Sequence, residues 1–201
     1  GTTIEIETTE PGKYIRNIIN ENKSPKIEYM PTFTGGLVGY FSYDFIKYAE
    51  PKLRLDADDQ ENFNDFDLML FDKVIAFDNL RQKIIVIANV KIDRSAEDTE
   101  INYSKALHDI DDIINIIKNG EAAAPQPGVL KSDFRRLFDK EQFCEMIEKA
   151  RKYIYEGDIF QVVLSNRLDA DFEGSLLNTY RVLRTLNPSP YMFYFSGQDV
   201  E

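Results

Sequence analysis

The densest run of residue types able to meet a ligand is Asn187-Pro188-Ser189-Pro190-Tyr191-Met192-Phe193. Pro188 and Pro190 remove two backbone donors and hold an extended path, which leaves carbonyls and nearby amides free to face something other than a sheet partner. Met192 adds a polarizable, adaptable side chain, and Tyr191 an aromatic wall with a polar tip. The same residues also read as a proline-marked approach to a strand, so from physics alone both readings stand. Further upstream, Gly157-Asp158-Ile159-Phe160-Gln161-Val162-Val163-Leu164-Ser165 reads as a helix stop feeding a buried strand. Gln161 is an amide among strand hydrophobes and needs hydrogen-bond partners wherever it is buried.

Other candidates carry less chemistry. Gly35-Gly36-Leu37-Val38-Gly39 imitates a phosphate cradle, but such a cradle needs amides converging on a helix N-terminus, and here the glycines run into Tyr40 and Phe41. They serve close packing where a strand joins the core. The Asp- and Asn-rich run 56–67 lacks the turn glycine and ligand order of a calcium loop and reads as a solvated acidic loop. Cys144, beside Phe143, Met146 and Ile147 in a helical pattern, reads as an inert, buried or half-buried thiol. His108 lies opposite the apolar face made by Tyr103, Leu107, Ile110, Ile113, Ile114 and Ile117 and is expected in solvent. With a single histidine and a single cysteine, histidine-based zinc sites and a Ser-His-Asp triad find no support.

The elements that position these residues follow from periodicity. Alternation over 2–8 predicts a strand, and Pro11 opens a short helix with Tyr14, Ile15, Ile18 and Ile19 as its stripe. Apolar runs at 66–76 and 83–90, joined through Asp78-Asn79, predict an antiparallel hairpin. An amphipathic helix is expected over about 97–118. The segment 120–131, with three alanines, Pro125, Pro127 and Gly128, has neither period and reads as a linker. Asp139 with Gln142 predicts a capping box, Phe143, Ile147, Ala150 and Ile154 one helical face, and Gly157 the stop. Strands at 159–168 and 191–196 then flank a helix over 175–186. Helices mixed with antiparallel hairpins, without strict βαβ alternation, indicate an α+β fold.

A chain of 201 residues, 43% apolar, can form one domain or two small ones. Its 24 basic and 35 acidic residues leave a net charge of -11, which repels nucleic-acid backbones and anionic membrane surfaces. The lone cysteine cannot form an internal disulfide, and no signal-like or membrane-length apolar run is present, so a reducing cytoplasm is the expected setting.

Three blocks in order carry a family resemblance: Gly35-Gly36-Leu37-Val38-Gly39-Tyr40-Phe41-Ser42-Tyr43-Asp44, then Lys149-Ala150-Arg151-Lys152-Tyr153-Ile154 running into Gly157-Asp158-Ile159-Phe160-Gln161, then the Pro-Ser-Pro-Tyr-Met block. Together they resemble component I of anthranilate synthase, in the chorismate-utilising enzyme family. The resemblance implies an anthranilate-synthase-type α/β/β/α layered sandwich with antiparallel sheets. It also implies an N-terminal α+β region at 1–119, a mobile linker at 120–132 and the start of the chorismate-binding domain at 133–201. The implied reaction is that of a carbon-oxygen lyase in tryptophan biosynthesis, converting chorismate and ammonia to anthranilate and pyruvate. It implies Mg2+ as cofactor, a glutamine amidotransferase subunit (component II) as partner, and feedback inhibition by L-tryptophan through Pro190, Tyr191 and Met192. The family's magnesium glutamates and acid-base blocks match no string here, so the chain reads as an internal segment of a longer subunit, inactive alone, with no catalytic or metal residue assigned. Its sister, aminodeoxychorismate synthase component I of the folate branch, tends to differ at Ser189 and Met192. A stand-alone, non-catalytic tryptophan-binding module is the alternative from another class.

Overall fold

The computed structural model describes residues 4–55, 61–92, 95–124, 126–197 and 200–201. The chain divides into two compact units, Gly1–Ala122 and Ala123–Glu201. Helices and exclusively antiparallel strand pairs among the described residues make it α+β.

In the first unit, helix α1 spans Pro11–Glu21, with Pro11 in its first turn as expected of a ring that fixes φ and lacks an N–H. Residues 2 and 3 of the strand expected over 2–8 lie outside the described residues, and Ile4 to Thr8 join no sheet among them. Strand β1 (Gly36–Phe41) pairs with β2 (Phe66–Phe71), and β3 (Lys73–Asp78) with β4 (Lys83–Ala88). The run 66–76 is therefore not one arm of a single hairpin but two strands in different sheets. The break falls at Asp72, whose carbonyl accepts both from the Asn89 backbone N–H (2.8 Å) and from Asn89 Nδ2 (3.0 Å). Asn89 Nδ2 also donates to the Thr34 carbonyl at 2.7 Å, so one amide ties the end of β4 to the β2–β3 switch and to the approach to β1. The hairpin turn occupies 79–82, pinned where Asp78 Oδ1 accepts the Arg81 N–H at 2.9 Å.

Helix α2 (Ala96–Asn119) is capped by Ser95, whose side chain accepts the Asp98 N–H at 3.0 Å. It lies along β4, and the buried apolar residues Ile87 and Ala106 sit one on each side of that contact. Lys73 and Asp109 add an ion pair from β3 to α2 at 3.0 Å. A second cluster is aromatic: Phe45 meets Phe41 edge-on at 4.8 Å and Phe66 at 5.7 Å, joining a short 3-10 helix (Tyr43–Tyr48) to the ends of β1 and β2.

In the second unit, β5 (Val129–Leu130) pairs with β8 (Phe172–Glu173) and β6 (Arg135–Arg136) with β7 (Leu168–Asp169). The C-terminal end of the stretch read as linker thus sits in a strand pair. Arg135 and Asp171 (2.9 Å) and Lys131 and Glu173 (2.6 Å) brace these short pairs. Helix α3 (Lys140–Glu156) starts with the expected capping box and ends at Gly157 in the left-handed region, φ +83°. Helix α4 is Leu177–Leu186.

Two sequence expectations fail here. The runs 159–167 and 191–196 join no sheet; of the strand expected over 159–168 only Leu168 lies in a ladder. Cys144 is exposed rather than buried, because the α3 face it was expected to share is only half covered. Gln161 is exposed as well, so it carries no buried-amide requirement.

Gly39 pairs opposite Leu68, and a Cβ there would land on the Asp67 carbonyl of the neighbouring strand. Gly39→Ala is expected to destabilise the first unit by about 1–3 kcal/mol, the usual cost of overpacking. Gly12→Ala in α1, where only the Arg16 guanidinium lies near, should leave stability unchanged or raise it. Urea unfolding followed by circular dichroism checks this; equal midpoints for the two variants would contradict it.

Candidate functional site

The proline block begins where α4 ends. Asn187 closes the helix by donating its N–H to Leu183 O at 2.9 Å, after which Pro188 and Pro190 deny the chain the donors needed to continue it. Beyond Pro190, exposure alternates with the period of a strand: Tyr191 is 93% exposed, Met192 half-buried, Phe193 84% exposed and Tyr194 half-buried. The inward side is held by α4. The Tyr194 ring lies 5.7 Å from that of Tyr180, and its hydroxyl is 3.4 Å from Ser175 Oγ. Ser175 Oγ also donates to Glu201 Oε1 at 3.0 Å, and Glu201 Oε2 accepts the Leu176 N–H at 3.2 Å. A carboxylate at the N-terminal end of α4 is favoured by the unpaired amides there.

Pro190, Tyr191 and Met192 therefore form a ledge leading from the end of α4 to the seat of Tyr194, with Met192 half-buried and Tyr191 in solvent. Among the described residues, the Tyr191 hydroxyl has no hydrogen-bond partner. Two shallow depressions follow α3, one lined by Glu148, Arg151, Lys152, Ile154 and Tyr155, the other by Phe138, Gln142, Glu145, Met146 and Lys149. Neither includes the proline block. The glycine block provides strand packing: Gly35, at φ +146°, has no room for a Cβ between Asn89 and the Phe71 carbonyl. His108 lies in solvent, as expected, 3.5 Å from Asp112. Part of the acidic run 56–67 lies outside the described residues, and no group of three or more His, Cys, Asp or Glu among the described residues could hold a metal ion.

Sequence reasoning missed one titratable cluster. Half-buried Asp65 accepts from Lys47 Nζ at 2.8 Å and from the Tyr48 hydroxyl at 2.7 Å. The Lys47 hydrogen bond, then that of Tyr48, holds the Asp65 carboxyl below its ordinary value, and the same contacts raise Lys47 and Tyr48. The cluster fastens the 3-10 helix to the residue that leads into β2 and so acts as a strut. Adjacent Lys47 and Tyr48 gave no signal for it, since their partner lies 17 or more residues on.

Residues 4–201 match the family profile described as chorismate binding enzyme. The chain belongs to the chorismate-binding enzyme family. Within it, the chain is 38% identical over 192 residues to anthranilate synthase component 1 of Aquifex aeolicus, a match covering 94% of this chain and 38% of that one. It is 35% identical over 201 residues to anthranilate synthase component 1 of Acetivibrio thermocellus, covering 96% and 40%. Among solved structures, anthranilate synthase component I from Streptococcus pneumoniae TIGR4 superposes with a TM-score of 0.66 at 26% identity, covering 90% of this chain and 40% of that one. This family member thus spans about two fifths of the length of the relatives it matches.

Asp65 gives the acid-side test. Its folded-state pKa is depressed, so its contribution is present above the unfolded value and is lost as pH falls through the folded one. Stability of the first unit should fall between about pH 5 and pH 2, and Asp65→Asn should flatten that slope without abolishing it. The residual slope comes from Asp78, held low chiefly by the Arg81 backbone N–H. Urea midpoints across that range measure this; an unchanged slope in Asp65→Asn would contradict the strut.

Proposed function

We propose that this chain is the part of anthranilate synthase component I that carries the tryptophan-responsive proline block, in an enzyme that converts chorismate and ammonia to anthranilate and pyruvate. The observation that supports it most is that relatives matched over nearly the whole chain, from bacteria to the rice chloroplast, bear the name anthranilate synthase. Ser189 and Met192 favour the tryptophan branch over the folate branch. In this reading Pro190, Tyr191 and Met192 form one wall for the indole of the feedback inhibitor, with Met192 presenting its polarizable sulfur and Tyr191 closing over the ring. A glutamine amidotransferase subunit supplies the ammonia. Magnesium belongs to the proposed enzyme as a Lewis acid toward the substrate carboxylate. The described residues here do not fit it, for want of a converging ligand set. No described helix is long and apolar enough to cross a membrane, and a cytoplasmic setting is part of the same proposal.

The product of the open reading frame that encodes these residues, given chorismate, ammonium and magnesium, should form fluorescent anthranilate. Formation of aminodeoxychorismate, or of neither product, would overturn the reading. In the active enzyme, Met192→Ala should raise the half-inhibiting tryptophan concentration about tenfold, equivalent to about 1.4 kcal/mol, while Cys144→Ala should not. Inhibition unaffected by Met192→Ala would remove the proline block from the regulatory site. The 201-residue chain alone, offering a single wall, should bind tryptophan weakly or not detectably by calorimetry.

A further inference from the structure

Over 191–194 no backbone N–H or C=O takes a backbone partner among the described residues, so no ladder sets how this extended run is rolled about its own axis. A side chain sets it instead. In an extended chain residues two apart share a side, so seating Tyr194 on α4 puts half-buried Met192 on that side and leaves Tyr191 and Phe193 in solvent on the other. Tyr194 is held at both its ring and its hydroxyl. The ring lies 5.7 Å from that of Tyr180, which in turn has the Arg184 guanidinium 6.0 Å from its centre, one helical turn on. The hydroxyl lies 3.4 Å from Ser175 Oγ, whose other partners leave the tyrosine a single role. A serine hydroxyl has one proton and two lone pairs. Glu201 Oε1 takes the proton at 3.0 Å and the Leu177 N–H donates to one lone pair at 3.1 Å, so the Tyr194 O–H donates to the other. Glu201 thereby orients the hydroxyl that receives Tyr194, while its second oxygen accepts the Leu176 N–H at 3.2 Å.

We propose that Tyr194 is a positioning residue for regulation by tryptophan: without touching the ligand, its seat on Tyr180 and Ser175 fixes the side that Met192 presents to the indole. This rests on the reading of Pro190, Tyr191 and Met192 as a wall of the inhibitor site. The ring carries most of the seat, since 3.4 Å is long for a hydroxyl hydrogen bond. Phe at position 194 keeps that ring contact and Leu loses it.

The test uses the product of the open reading frame that encodes these residues, with tryptophan inhibition of anthranilate formation read at the same multiple of each variant's own KM for chorismate. Tyr194→Leu should raise the half-inhibiting concentration about tenfold, and Tyr194→Phe by less than about threefold. In the Met192→Ala background Tyr194→Leu should add less than about twofold, because a residue that acts through Met192 then has nothing left to position. A second readout needs no inhibition. With isotope-labelled methionine methyls observed by NMR, the Met192 resonance, assigned by its loss in Met192→Ala, should move toward that of a solvated methionine in Tyr194→Leu and stay in place in Tyr194→Phe. If dichroism shows Tyr194→Leu unfolded, Ser175→Ala takes its place, with a rise of about threefold expected and recovery in Ser175→Thr. A Met192 resonance unmoved by Tyr194→Leu, equal losses in the Leu and Phe variants, or the full effect of Tyr194→Leu in the Met192→Ala background would each overturn the proposal. If Met192→Ala weakens inhibition and Tyr194→Leu does not, the role of Tyr194 alone fails. If the Met192 resonance moves as expected but Met192→Ala leaves inhibition unchanged, the reading of the inhibitor site fails and takes the regulatory role of Tyr194 with it.

Discussion

A pair of antiparallel strands satisfies the backbone along one edge of each strand and leaves the other edge open, and every sheet among the described residues is such a pair. That constraint governs the rest of the structure. Isolated pairs are marginal in water unless something covers an apolar face. In the first unit α2 covers β4, and there the chain buries Ile87 and Ala106. Among the described residues of the second unit no helix lies along a strand pair as α2 does; the four strands there are two residues each and are braced by ion pairs that solvent screens. Phe160, Phe193 and Val163 remain outside, although full burial of each would contribute roughly 1.5–3 kcal/mol.

Helix ends were legible in the sequence because they are local. The Asp139 and Gln142 box and the left-handed Gly157 need only residues within a turn of one another, and α2 runs one residue past its predicted span at each end. Strands were legible only as patterns. Alternation at 191–194 is present in the exposure of the side chains, yet a ladder needs a second strand, which no local pattern supplies. The break at Asp72 was hidden for a related reason, since it depends on Asn89, 17 residues away. Cys144 was misplaced because periodicity tells which residues share a face and not whether anything covers it.

The candidate site shows the same division. Its residues could be named from two prolines and the block around them, but their roles as ledge, inward Met192 and outward Tyr191 come from the seat of Tyr194 on α4. A small ligand is usually enclosed over most of its surface, and a ledge encloses one side. The unpaired run at 191–194 overlaps the candidate ledge at 190–192, so Tyr191 and Met192 belong to both. The glycine block and the Asp65 strut, by contrast, serve contacts made within the first unit.

Hydrogen exchange followed by mass spectrometry measures this most directly, because it reads backbone pairing segment by segment. In the separate chain, amides at 160–165 and 191–194 should exchange at rates near those of an unstructured peptide, while those of α2, β3 and β4 are protected. Protection at 160–165 and 191–194 equal to that of β4 in the separate chain would contradict the account, since it would mean that these strands already have partners.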